Sequence, residues 1–139
     1  MRLRWRQMDS DAIFSANQMS DGTLRFVCLA TLLLHPATPA LIVLDEPELG
    51  LHPYAIVQLS ELLRQASVRS QVLIATQSVT LMNQFQIDDL IVVERANGAS
   101  TFDRPEPDSL HAWLDEYSLG ELWEKNLIGG RPGDAGKHA

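Results

Sequence analysis

The sequence predicts an α/β fold, a mostly parallel sheet with flanking helices and a β-hairpin extension. Apolar runs of strand length recur at Leu41-Ile42-Val43-Leu44, Val72-Leu73-Ile74-Ala75 and Leu90-Ile91-Val92-Val93. Continuous runs of that kind suit strands buried on both faces of a parallel sheet. The first two are separated by a segment whose apolar residues follow helical spacing, a helix that would cover one face of the sheet. They also end in polar residues, Asp45-Glu46 and Thr76-Gln77-Ser78. Open α/β sheets place their ligands there, in the crevice beyond the carboxyl ends of the strands.

At 139 residues and 45 % hydrophobic, the chain fits one ordinary domain or a large part of one, and is too apolar to be disordered. A net charge of −7 argues against unassisted nucleic-acid binding, although a DNA-processing assembly could carry its basic surface elsewhere. The single cysteine, Cys28, excludes an internal disulfide and suits a reducing cytosol, so a cytoplasmic location is expected. Residues 1–6 lead into polar sequence rather than the apolar core of a secretory signal. The longest apolar segment, residues 24–34, contains Arg25 and stops at His35-Pro36, too short to cross a bilayer.

In chain order, Arg2-Leu3-Arg4-Trp5-Arg6 alternates strictly and predicts a half-buried strand with Leu3 and Trp5 inward. Its arginine row could meet nucleic acid, but charged outer faces also protect edge strands from aggregation. Residues 7–17 are mostly polar and read as a loop. Ser20 or Asp21 can cap a helix that starts near Gly22, runs through the apolar residues 24–34 and is buried on most sides, with Cys28 in its core. Pro36 and Pro39 end it and lead into the first parallel strand. Pro53 suits the first position of a second helix reaching about Ser67, whose residues Ile56, Leu59, Leu62, Leu63 and Ala66 would cover one face of the sheet. After the strand at residues 71–76, Ser78 can cap a short helix, and Asp89 leads into a third strand at residues 90–94. Ala96-Asn97-Gly98 is a turn signal with a return strand at residues 100–104. Leu110, Trp113, Leu114 and Tyr117 share one helical face, and Ser118 with Glu121 fits a capping box for a last short helix.

Three stretches are candidate site elements. Ser20-Asp21-Gly22-Thr23 opens a helix, where free N–H groups and the helix dipole favour an anion, although a simple cap uses the same residues. Asp45-Glu46 and Thr76-Gln77-Ser78 lie at strand ends, where acids can equally cap a helix or face water. The histidines, His35, His52, His111 and His138, are dispersed without metal-ligand spacing. No Ser, Thr or Cys has a neighbouring base at a recognisable spacing, so nucleophilic catalysis has no support.

In this order and spacing the three stretches resemble the second half of an ATP-binding-cassette type ATPase head. The particular relatives are the RecF/SMC-like, AbiEii/OLD-like proteins described as AAA-type ATPases, a branch of the P-loop NTPase fold. Met19 to Thr23 looks like the signature motif, Leu41 to Glu46 like Walker B, Pro47 to Pro53 like the D-loop region, and Ala75 to Ser78 like the switch. The resemblance implies that Asp45 orients Mg²⁺ through its water shell and that Glu46 acts as general base toward the water attacking the γ-phosphate. It implies that Gln77 senses that phosphate. Ser20, Asp21, Gly22 and Thr23 would form the nucleotide-binding signature, with Ser20 and Gly22 meeting the ATP of a facing protomer. Residues 47–52 would lie at that dimer interface. Asp21 stands where a second signature glycine is usual and Gln77 where a histidine is usual, and both variants look familiar for the RecF/SMC-like branch. His52 stands where transporter heads have an aspartate, which argues against a transporter subunit.

No Gly-x-x-x-x-Gly-Lys-Ser/Thr loop occurs; the one Gly-Lys pair, Gly136-Lys137, is followed by His138. The chain therefore looks like the carboxyl-terminal half of a head over residues 1–128, followed by a flexible tail at 129–139. The resemblance implies Mg²⁺-dependent ATP binding and hydrolysis, with the missing amino-terminal half and a second protomer in a homodimer as partners. DNA enters only as a partner of the full assembly, and no membrane is expected. The alternative is a non-catalytic chain that binds a partner or self-associates.

Overall fold

The computed structural model describes residues 4–6, 8, 10–96 and 98–130. Its backbone contacts divide the chain into two compact units, residues 1–76 and 77–139.

The first unit is built on a parallel pair, β3 (Leu41–Asp45) and β4 (Gln71–Ala75), preceded by an antiparallel ribbon of β1 (Arg4–Arg6) and β2 (Ile13–Ser15). Two helices accompany them, α1 (Asp21–Leu33) and α2 (Pro53–Ser67). In the parallel pair Leu41 sits opposite Gln71 and Asp45 opposite Ala75, and the Glu46 N–H carries the ladder one step further to the Ala75 carbonyl at 2.8 Å. α2 starts and stops where the sequence places it. Pro53 takes a position whose N–H needs no partner, and the His52 imidazole Nδ1 accepts from the Tyr54 N–H at 3.2 Å. Ile56, Leu59, Leu63 and Ala66 are buried on one stripe of α2, with Ile42 and Leu33 in the same unit's core.

Four expectations need correction in this unit. Residues 13–15 are a strand, not loop, with Phe14 opposite Trp5; three residues give too little alternation to stand out from polar surroundings. The described part of the first strand is exposed throughout and Trp5 is not buried, while Leu3 lies outside the described residues. The parallel pair is covered on one face only: Ile42 is buried, but Leu41, Val43 and Leu73 are 51 %, 62 % and 50 % exposed. Within this unit the main helix contact of α1 is with α2. With α2 as its main neighbour, α1 buries only Leu33 fully, and Cys28 is exposed rather than core.

The second unit holds α3 (Val79–Met82), the hairpin of β5 (Val92–Ala96) and β6 (Ala99–Asp103), α4 (Pro107–Leu114) and α5 (Leu119–Glu124). Ser78 caps α3 as expected, its Oγ accepting from the Leu81 N–H at 3.2 Å. β5 is the third expected strand, and its ladder partner is β6; the expected third parallel pairing is not formed among the described residues. The return turn uses Gly98 at φ 82, as the hairpin signal requires. Met82, Ile87, Leu110 and Leu119 form this unit's core, with Leu90, Leu114, Trp123 and Ile128 against it. Trp113 is half-exposed instead of inward and stands 6.0 Å from the Tyr117 ring. The Gly130 N–H donates to Glu94 Oε1 at 2.9 Å, and residues 131–139 lie outside the described residues.

Candidate functional site

Each site stretch is positioned by simple local chemistry. Ser20 ends extended backbone and caps α1, its Oγ accepting from the Thr23 N–H at 3.2 Å and lying 2.8 Å from Thr23 Oγ1. Asp21 is the first helical residue and is exposed, where a carboxylate suits the helix dipole. Gly22 faces the loop that follows β3. A Cβ there would collide with the Gly50 carbonyl oxygen, so only glycine allows the α1 start to approach that backbone so closely. Gly50 itself takes φ 78 with open space around its Cα.

At the end of β3, Asp45 is exposed and Glu46 half-buried. Glu46 adopts φ 41, the left-handed region that glutamate rarely enters and that costs about 1–3 kcal/mol. Such a conformation persists only where the surroundings over-determine it. Here the Glu46 N–H is tied to Ala75, and its carbonyl accepts from the Leu49 N–H at 3.1 Å and from Arg25 Nη1 at 3.2 Å. Arg25 Nη1 also reaches the Leu49 carbonyl at 3.1 Å. A helix cation thus grips the turn whose first residue is Glu46. Pro47 is buried, and Glu48 turns inward, with Oε1 accepting from the Thr76 hydroxyl at the end of β4.

The structure therefore brings Ser20 to Thr23 and the turn after Asp45-Glu46 together through Gly22, Gly50 and Arg25. Gln77 is exposed and begins the second unit, so it is described apart from them. The sequence reading gave Arg25 no role and placed Glu48 only within the stretch expected at the dimer interface. Arg25 looked like an interruption of an apolar helix, though a cation one turn into a capped helix was the available signal. Glu48 was one more acid in an acidic stretch, and only the Pro47 turn directs it inward. Among the described residues no three His, Cys, Asp or Glu side chains group to hold a metal.

Among solved structures, the fold is similar to one from work on ATP-driven dimerization and DNA-stimulated activation of SMC ATPases. The TM-score is 0.63 at 19 % identity, covering 83 % of this chain and 71 % of that one. It is also similar to the SMC head bound to the C-winged helix domain of ScpA, with TM-score 0.61 and 20 % identity. There the match covers 74 % of this chain but only 32 % of that one. No curated protein matches the sequence. The fold is thus that of SMC-type ATPase heads, a P-loop NTPase architecture represented here in part. A family model spans residues 2–83, more than half of the chain and all three site stretches, and by it the chain belongs to the family described as "AAA domain, putative AbiEii toxin, Type IV TA system".

Proposed function

We propose that this chain supplies the signature, Walker B and switch elements of an ATP-hydrolysing head that works as a pair of protomers. Hydrolysis then needs a Walker A loop from the amino-terminal half of the head, since this sequence contains none. The observation that carries the reading is the seating of Gly22 against Gly50. It puts a helix N-terminus, with outward N–H groups suited to phosphate, beside the turn that follows the two strand-end carboxylates.

Asp45, exposed and acidic, would hold Mg²⁺ through water, and the metal would supply charge neutralisation on the phosphates. Glu46 would take a proton from, or polarise, the attacking water. Ser20, Asp21, Gly22 and Thr23 would face the γ-phosphate of ATP bound to the other protomer, and Gln77 would sense it through its amide, which donates and accepts without carrying charge. The ATP-driven dimerization ascribed to the similar SMC ATPases supports the two-protomer arrangement. DNA would act on the assembly, not on this acidic chain alone. No described helix is long and apolar enough to cross a membrane, and the proposed setting is the cytoplasm.

The test compares the chain alone with a head that includes the Walker A segment. The chain alone should show no ATP turnover above background, and turnover abolished by Glu46→Gln would overturn that. In the head, Glu46→Gln should retain ATP, favour the dimer and lower hydrolysis by at least 10²-fold, on the order of a lost general base. Unchanged hydrolysis would remove Glu46 from its role. The second reading, a non-catalytic chain that binds a partner or self-associates, is favoured by the missing Walker A loop and gains if the head hydrolyses nothing.

A further inference from the structure

Glu48 has no part in the chemistry proposed above, and its environment is unusual for a carboxylate. Its residue is only 9 % exposed, and Oε1 accepts from the Thr76 hydroxyl. The other oxygen, Oε2, is buried with no hydrogen-bond partner among the described residues. A buried, unpaired carboxylate oxygen is costly, and a side chain needed only for filling would be apolar. The arrangement makes sense if the acid holds something in place. Glu48 lies within the turn that begins at Glu46, between Pro47 and the Leu49 carbonyl gripped by Arg25, and its partner is the residue that follows β4. The hydrogen bond therefore closes the carboxyl ends of β3 and β4 onto each other, on the side-chain side of a turn whose backbone is already bound to Ala75.

We propose that Glu48 is a positioning residue that, through Thr76, locks the turn presenting Glu46 in its left-handed conformation and so sets the aim of the Glu46 carboxylate. The proposal rests on the reading of Glu46 as the hydrolytic carboxylate. Without the lock the Glu46 backbone can relax toward ordinary dihedrals and carry the carboxylate off line. A misplacement of about 1 Å in a catalytic group costs on the order of 10²-fold in rate. Because the lock touches neither nucleotide nor metal, its loss should lower kcat and leave KM for ATP nearly unchanged.

Thr76→Val removes the hydroxyl at constant shape, and Thr76→Ser keeps it. In the chain alone, hydrogen exchange should speed up in Thr76→Val at the amides of Glu46 and residues 48–51 and not across α2, and Thr76→Ser should restore the wild-type pattern. Unchanged exchange at those amides, or a uniform rise everywhere, overturns the lock. In the complete head, Thr76→Val should lower kcat by about 10–10²-fold with KM for ATP within about twofold, again restored by Thr76→Ser. Glu48→Gln, whose amide oxygen still accepts from Thr76, should resemble wild type more closely than Glu48→Leu does. Glu46→Gln is assayed beside them. If Glu46→Gln stops turnover while Thr76→Val leaves kcat intact, the positioning role is wrong and the site reading stands. If Glu46→Gln itself leaves turnover intact, the site reading fails first and takes this role with it.

Discussion

Gly22 is where a single missing atom decides the geometry of the site. The α1 start approaches the Gly50 carbonyl so closely that an added methyl must displace backbone, not a flexible side chain. Gly22→Ala would gain about 1 kcal/mol of helix propensity, because glycine is the poorer helix former. Overpacking typically costs about 1–3 kcal/mol, and the obstacle here is a carbonyl held in a loop that Arg25 also grips. The collision should win. Gly22→Ala is expected to lower the chain's stability by about 1–2 kcal/mol in chemical denaturation, where no fall in the midpoint would show that the loop yields freely. The neighbouring strain at Glu46 belongs to the same scale. A left-handed glutamate is an outlier with a stated energetic cost, and it falls on the residue that the family resemblance assigns to water.

At the scale of elements, caps were legible and coverage was not. Ser20, Ser78 and Ser118 all cap the helices the sequence assigned them, because a cap is a local contract between a hydroxyl and an N–H three residues on. The two-sided burial expected of β3 and the core position expected of Cys28 depend on which neighbours arrive, and no run of residues encodes that by itself. α5 shows how much a local signal can carry. Ser118 N–H and Oγ both donate to Glu121 Oε2 at 2.8 Å, and these bonds, backbone first and then side chain, hold the Glu121 carboxyl below its usual range. The folded value is therefore depressed relative to the unfolded one. The contribution of the box is fully present above the ordinary glutamate value, roughly pH 4.3, and is lost as pH falls through the lower folded value. Glu121 is solvent-exposed, so the effect is modest and screened by salt. The stability difference between wild type and Glu121→Gln should be constant from neutral pH down to about 5 and shrink below it. Thermal unfolding at stepped pH measures this, and a difference that grows on acidification would contradict the sign.

At the scale of the whole chain, the placing of the candidate stretches at a helix start and at strand ends was readable, because caps and strand ends are marked by short motifs. How the sheet is finished was not, because pairing between distant strands leaves no local trace. Within the first unit the consequence is an uncovered apolar face. Leu41, Val43 and Leu73 project from the side of β3 and β4 opposite α2, and Val43 stands directly across from Leu73. Exposed apolar surface of this kind, on a pair with no further strand hydrogen-bonded to it among the described residues, favours association through the face or the edge. The purified chain should therefore self-associate in a concentration-dependent way, seen by size-exclusion with light scattering. Val43→Lys places a charge in the middle of the face without disturbing the buried Ile42 side, so it should shift the chain toward monomer while leaving its melting temperature nearly unchanged. A wild-type chain that stays monomeric across that concentration range would show the face to be tolerated in water. Association that survives Val43→Lys would instead assign it to another surface, with the strand edges the next to be tested.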